Sequence, residues 1–374
     1  MGMIGNTPYQ GIIQAGNIQD GAVTAPKHAD ASVTAAKLAS DAAQGVSDKT
    51  NASTGYFGLP TGTTAQRPVS PANGFVRYNT DLGYPEWYNA AASQWYSFAT
   101  AGPYSIEYVV VAGGGGGGGT NGGGMGGGGA GGYLAGTKNN VAPGTALSIT
   151  VGAGGAYGNN ATQGGNSSLT GVSTAIGGGA GASRNGVSST QNGGSGGGGS
   201  EYPNASLVGS GTSGQGYNGG QGYTNGGGGG GGGAGGVGGN SAASGGRAGD
   251  GGTGVYNANF ASFGISGYFA GGGGGSLNSG AGGTAGAGGG GYGGPGSSGS
   301  NGSAGSYGSG SINGAANTGG GGGGAYASTP GNGGSGVVIL RYVGLQRAVG
   351  GTVTSAGGYT YHAFTSSGTF TFTA

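Results

Sequence analysis

The chain has 374 residues, of which 113 are glycine, with no cysteine, 5% charged residues and a formal net charge of +1. Scattered basic residues at that balance exclude the footprint of a nucleic-acid or anionic-membrane binder, and the lack of cysteine excludes disulfide stapling and thiol chemistry. Ordering glycine costs more backbone entropy than ordering any other residue, so a folded chain of this composition must recover that cost through dense hydrogen bonding.

The start, MGMIGNTPYQ, carries neither a basic nor an apolar leader region, which predicts no signal peptide. Asn6 stands where a myristoylation motif needs Ser or Thr. Residues 1–40 are predicted to be an anchoring segment. Within them DGAVTAPKHA (20–29) repeats as DASVTAAKLA (30–39), matching at Asp20/Asp30, Val23/Val33, Thr24/Thr34, Lys27/Lys37 and Ala29/Ala39. One apolar position per short repeat cannot bury itself within one chain, so an extended, intertwined stalk is expected, with an amphipathic helix over 33–44 as the alternative. Residues 41–73, rich in Ala, Ser, Thr, Gly and Pro, read as a linker.

GFVRYNTDLGYPEWYNAAASQWYSF (74–98), within a segment bounded at 74–103, predicts a small β-meander broken at TDLG and NAAAS, with Trp87, Tyr88, Trp95 and Tyr96 as its packing surface. YSIEYVVVA (104–112) and GVVILRYVG (336–344) then bracket a glycine-rich domain over 104–344, and two such β-branched strands are expected to pair and tie its ends together. Their apolar runs, 109–112 and 337–340, are of strand length, so no membrane insertion is expected. APGTALSITVGAGG (142–155) and GGNSSLTGVSTAIGGG (164–179) read as further strands, and GYTYHAFTSSGTFTFTA in the last segment, 345–374, as a terminal β-hairpin turning at SSG.

Glycine recurs at 290, 293, 296, 299, 302, 305 and 308. A three-residue period fits neither helix nor strand but matches a polyproline-II-type helix, which makes no internal hydrogen bonds and points every N–H and C=O outward. Glycine on one face lets neighbouring backbones dock directly, so a polyglycine-II-like bundle is expected. Collagen would demand an unbroken beat and many prolines. Disorder is opposed by the bracketing strands.

Bulkier residues are expected at turns between runs. Tyr202, Tyr217, Tyr223, Tyr256, Phe260, Phe263 and Tyr268 are the candidate contact residues, because a flat apolar ring on a rigid loop can stack on a sugar or meet an outer-membrane protein; packing at the bundle ends or between subunits is the alternative. Tyr217 and Tyr223, six residues apart, would share one ridge at about 19 Å. Catalytic, metal and cofactor sites are all expected to be absent. Glu201 and Asp250 are the only acids between 113 and 336, His28 and His362 lie far apart in sequence, and no Lys follows a glycine as a phosphate loop requires.

Taken together, IGNTPYQGIIQAGNIQDGAVTAPKHADASVTAAKLA, the aromatic segment 74–98, and YVVVAGGGGGGG through GGSGVVILRY resemble bacteriophage tail fibre proteins of short-tailed phages with a glycine-rich distal domain. The resemblance implies a mainly β, fibrous homotrimer with no enzymatic activity, located in the virion tail. Its residues 1–16 would attach to tail adaptor or tube proteins, and its loops would bind a host surface glycan or outer-membrane protein. The family's contacts lie on variable loops, so no site residue transfers by motif. The alternatives are a purely structural tail spacer, an ice-binding protein, for which regular threonine spacing is missing, and a capsule-digesting enzyme, for which the paired carboxylates are missing.

Overall fold

The computed structural model of the chain describes residues 58–98, 103–119, 123–183, 191–201, 208–243, 246–295, 297, 299–310, 312–326 and 328–373. The expected anchoring segment and stalk, and most of the linker, lie outside them. The described part is mainly β, with no α-helix.

Strands β1 (Thr61–Gly62), β2 (Val76–Asn79), β3 (Tyr84–Asn89) and β4 (Gln94–Ser97) form one sheet in that order, β1 parallel and the others antiparallel. The closed face of this meander is polar: Arg77, Asn79, Glu86 and Ser97 are all buried. Arg67, arriving from the segment before β2, places Nη2 2.6 Å from Glu86 Oε2, and Arg77 Nε lies 3.4 Å from Oε1. Burial works against the Glu86 carboxylate, but hydrogen bonds from Arg67 and Asn79 and the nearby guanidinium charges outweigh it and hold its pKa below the usual range. The expected aromatic packing surface is divided between the two faces, Tyr88 and Trp95 on the side of Glu86 and Trp87 and Tyr96 on the other. Trp87 pairs across the strands with Tyr96 (5.5 Å between centroids) and Tyr88 with Trp95 (5.4 Å), while all four rings stay partly exposed. A carboxylate with two guanidinium partners occupies the side that the 60–67 segment covers.

Next come β5 (Tyr104–Val111), β6 (Tyr133–Val141), β7 (Ala146–Thr150) and β8 (Ser168–Leu169), then the short pair β9 (Val255–Tyr256) and β10 (Tyr268–Phe269). The C-terminal part supplies β11 (Val337–Val343), β12 (Ala348–Val349), β13 (Thr352–Ala356), β14 (Tyr359–Phe364) and β15 (Gly368–Phe372). One five-stranded sheet has the order β13-β14-β11-β5-β6 and a four-stranded sheet the order β12-β15-β7-β8. The bracketing strands do pair: β5 and β11 run antiparallel with Val111 opposite Val337 and Glu107 opposite Arg341.

Ile106, Val110, Val338, Leu340 and Phe364 of the larger sheet pack against Leu147, Ile149, Phe370 and Phe372 of the smaller one. Alternate residues Val109, Val111, Val337 and Ile339 face the other way, onto Phe260 and Phe269. Both faces of β5 and β11 are thus buried, which is why their sequences are continuous apolar runs instead of alternating ones.

The expected terminal hairpin does not form. β14 pairs with β11 and β13, whereas β15 pairs with β7 and β12, so Thr365–Ser367 carries the chain from one sheet to the other. The hairpin is instead β13–β14. Its two-residue turn is Gly357–Gly358, with φ of +58° and +81°, the doubly left-handed geometry that a tight hairpin needs and that glycine adopts at least cost.

β5 and β6 run straight into glycine runs, and a third run feeds β11. Within 113–118 the hydrogen bonds rotate with a period of three. Gly113 and Gly116 donate to Gly165 and Thr162, Gly114 and Gly117 to Gly334 and Gly331, and Gly115 and Gly118 to Gly129 and Gly126, at 2.9–3.1 Å. Their carbonyls follow the same rhythm, accepting from Gly178 and Gly181, from Gly155 and Gly158, and from Gly322 and Ala325. This run therefore touches six others. Runs 126–132, 228–233, 271–276 and 319–324 are surrounded in the same way; Gly271–Ser276, for example, bonds to runs 288–291, 249–252, 125–128, 321–324, 283–286 and 228–231.

Glycine spacing follows position in this array. A Cβ added at Gly114, Gly115 or Gly116 would overlap a carbonyl of Gly320, Gly179 or Ala156 respectively, three different neighbours, so a surrounded run needs glycine at nearly every position. Over 299–303 in the three-residue beat only one direction is occupied, whereas at its start Gly291 and Gly294 still abut Ile312 and Ala325. A Cβ at Gly290 or Gly293 would overlap Gly272 or Gly275, and one at Gly299 or Gly302 would overlap Gly280 or Gly283, while Ser300, Asn301 and Ser303 face solvent. Replacing Gly302 with Val should therefore destabilise the protein by about 3 kcal/mol or more and lower its melting temperature by roughly 5–10 °C, whereas Ser300→Val on the same run should change stability by no more than about 0.5 kcal/mol. Calorimetry of both variants checks this; equal melting temperatures would remove the close-approach argument.

His362 of β14 is fully buried. Its Nδ1 lies 2.7 Å from the Gly350 carbonyl and its Nε2 3.2 Å from the Tyr342 hydroxyl, whose oxygen also accepts from Arg347 N at 2.9 Å. Of the two neutral tautomers, only the one with its proton on Nδ1 satisfies both contacts, with the tyrosine donating to Nε2. Burial pushes the imidazole pKa down, and the Gly350 bond offsets part of that. With the folded pKa below the unfolded value, the unfolded chain takes up the proton first. Stability is therefore complete above about pH 6.5 and declines as pH falls below it. Thermal melts at pH 7 and pH 5 should show a smaller pH-induced loss for His362→Gln than for the parent; an identical loss would contradict the assignment.

Candidate binding surface

The seven aromatic candidates do not form one site. Tyr202 lies outside the described residues. Tyr217 and Tyr223 stand on one run and are 49% and 47% exposed. The backbone N–H groups of Tyr217, Gly220 and Tyr223 donate in turn to Gly233, Gly230 and Gly227, so one neighbouring run meets every third residue and both rings sit at equivalent positions along it. Tyr217 is at the end of the run near the sheets, level with Ala130 and Gly232, and Tyr223 is at the remote end, where 223–226 turns back.

The segment 255–269, expected to present aromatics outward, is largely pinned inward. Phe260 is 2% exposed in the core against Val109, Val111 and Ile339, which corrects its candidacy as a contact residue. Phe260 and Phe263 pack on Tyr361 of β14 at 6.2 and 5.6 Å between centroids. A polar clasp fixes the same loop. Arg341 Nη2 lies 2.9 Å from Glu107 Oε2, Arg341 Nη1 donates to the Asn259 carbonyl at 2.9 Å, and Asn259 Nδ2 donates to Glu107 Oε2 at 2.9 Å. The Arg341 guanidinium also stacks over Tyr359, 4.1 Å from its centroid. Of the segment's aromatics only Tyr256 is exposed, at 52%; it lies 5.0 Å from Tyr268, which in turn stacks on Tyr307 at 4.5 Å. Tyr307 is the partner that sequence reading missed. It stands in the glycine beat, where only a fold that brings 307 beside 288 makes it a neighbour of Tyr268.

The two acids of the glycine region serve the backbone. Glu201 accepts from Gly124 N at 2.6 Å and from Asn278 Nδ2 at 2.7 Å, tying two run ends together. Asp250 accepts from Thr284 N at 2.6 Å and pairs with Arg247 at 2.9 Å, whose guanidinium also bonds Thr284 Oγ1. Asparagine works in the same way. The Oδ1 atoms of Asn192, Asn218 and Asn240 accept from Ser210 N, Gly211 N and Gln221 N, filling peripheral positions where no neighbouring carbonyl is available. Among the described residues no cluster of three or more His, Cys, Asp or Glu is placed to hold a metal ion, and no helix is long and apolar enough to cross a membrane.

Beside Tyr217 lies a shallow depression of about 530 Å³. Its rim is the turn 211–218 on one side and Ala234 and Val237 on the other. Among the described residues no charged side chain lines it. The Gln215 amide holds the turn from within, donating to Thr174 O at 2.9 Å and accepting from Ile176 N at 2.8 Å.

No curated protein sequence and no solved structure matches the chain. The family described as glycine-rich domain matches residues 90–343, the stretch that runs from the end of β3 through every surrounded glycine run to the last residue of β11. With that match covering more than half of its length, the chain belongs to the glycine-rich domain family.

Proposed function

We propose that the chain is a non-enzymatic, tail-fibre-like adhesin: a fibrous homotrimer whose N-terminal repeats form a stalk and whose glycine runs form a polyglycine-II-like bundle. The observation that carries the reading is the period-three rotation of hydrogen bonds in runs such as 113–118, each bonded to six others. A three-residue turn is the geometry of that helix type. A body built so fixes the places where its runs reverse, and those reversals hold Tyr217 and Tyr223 outward. Residues 1–16 would dock to tail adaptor or tube proteins in the virion, and exposed loops, together with the candidate contact Tyr202, would meet a glycan or protein of the bacterial surface. Three copies on one stalk would multiply a weak contact through avidity.

A second reading is favoured by the pinned segment 255–269. With Phe260 buried and Arg341 clamping Asn259, that loop serves packing, which suits a spacer or assembly element of the tail. The two readings separate on cell binding.

Light scattering of the purified chain should return three times the 34.3 kDa chain mass, and a fluorescent fusion should label the surface of some strains in a panel of Gram-negative bacteria. A monomer mass would overturn the trimeric stalk. A trimer that labels no strain would overturn adhesion and leave the spacer.

A further inference from the structure

We infer that the depression beside Tyr217 is a binding site for a neutral saccharide. The inference rests on the adhesive reading and narrows it to a ligand class and a place. Three features converge there. The first is a half-exposed ring: Tyr217 is 49% exposed on the rim, and Val237, 63% exposed, stands on the opposite side. The apolar faces of a sugar ring pack on such a pair. The second is a set of unspent polar groups. The Tyr217 hydroxyl, the Ser213 hydroxyl and Asn218 Nδ2 have no hydrogen-bond partner among the described residues, while Asn218 Oδ1 is occupied by Gly211 N at 2.9 Å. A donor amide and two hydroxyls, each able to donate or accept, suit vicinal sugar hydroxyls.

The third feature is stiffness. The rim cannot shift without breaking its own bonds: Thr212 N–H and Oγ1–H both reach the Gly193 carbonyl at 2.9 and 2.8 Å, Gly216 N–H returns to Thr212 O at 3.1 Å, and Gln215 O accepts from Tyr133 N at 3.1 Å. On the far side Gly233 N–H donates to Gly236 O at 2.9 Å and closes the 233–236 turn. A preorganised site spends little binding free energy on ordering itself. With no charged side chain among the described lining residues, the site selects against sialylated, uronate or phosphate-bearing sugars, whose desolvated charge would find no partner there.

An array of immobilised neutral hexose and N-acetylhexosamine oligosaccharides, with acidic counterparts, is the probe. The full-length protein is expected to bind neutral members. Tyr217→Ala should weaken that binding by about tenfold or more, and Asn218→Asp should do the same, since it keeps the acceptor for Gly211 N and removes the donor. Ser300→Val, an exposed position outside that lining, should bind as the parent does. Circular dichroism melts matching the parent show that the variants remain folded. Binding only to acidic members, binding to none, or unchanged binding by both Tyr217→Ala and Asn218→Asp overturns the site. If the parent labels cells and Tyr217→Ala labels them equally well, the saccharide site falls and the adhesive reading stands; if the parent labels no cell, the adhesive reading itself falls.

Discussion

Direct bonding between backbones that carry no side chains is the constraint on which this protein depends. Fixing a residue's backbone costs about 1–2 kcal/mol, and glycine sits at the expensive end. A hydrogen bond contributes a net of about 1 kcal/mol. The two are comparable only if nearly every amide finds a partner. In run 113–118 each N–H and each C=O has one, on six different neighbours. A conventional core cannot supply that, because at nearly every position a Cβ would stand where the next carbonyl lies; Ala130, buried in run 126–132, marks one place with room for a single methyl. Glycine's thinness is what such runs need, and its conformational freedom is secondary.

That constraint also places everything else. Where a run is surrounded, no side chain exists to do chemistry, and where it lies at the surface, two residues in three are free to vary, as Ser300, Asn301 and Ser303 illustrate. Charged residues are recruited as substitutes for missing backbone partners: Glu201 and Asp250 accept from amides that no carbonyl reaches. The double-sided core of β5 and β11 holds the bundle at one end, since β5 leads directly into run 113–118 and run 331–336 leads directly into β11. Potential binding groups are consequently confined to reversals and surface ridges, which is where Tyr217 and Tyr223 are found.

Parts of this were legible in the sequence and parts were not, for identifiable reasons. The apolar runs at 109–112 and 337–340 signalled two strands that pair, whereas the burial of both their faces became visible only in the structure. The beat signalled one docking face, but uninterrupted glycine runs such as 226–233 carry no phase, so their six neighbours were invisible. Clean alternation over 358–374 gave the correct faces for Phe364, Phe370 and Phe372 to be buried, yet alternation does not say which strand is the partner, and Thr365–Ser367 turned out to be a crossover between sheets. In the meander, aromatic content pointed to a packing face, but the sequence did not show that the Arg67–Glu86–Arg77 cluster shares that face with Tyr88 and Trp95 while Trp87 and Tyr96 lie on the other. Among the candidate contacts, Phe260 looked like its neighbours until the Arg341 clasp showed which side of the loop faces the sheet.

The central claim is tested most directly by amide hydrogen exchange, resolved by segment. Protection in 113–118, 126–132 and 271–276 should match that of β5 and β11, because opening one run breaks bonds to six others. Free exchange of the glycine runs at unprotected rates, with the two sheets alone protected, would contradict the account.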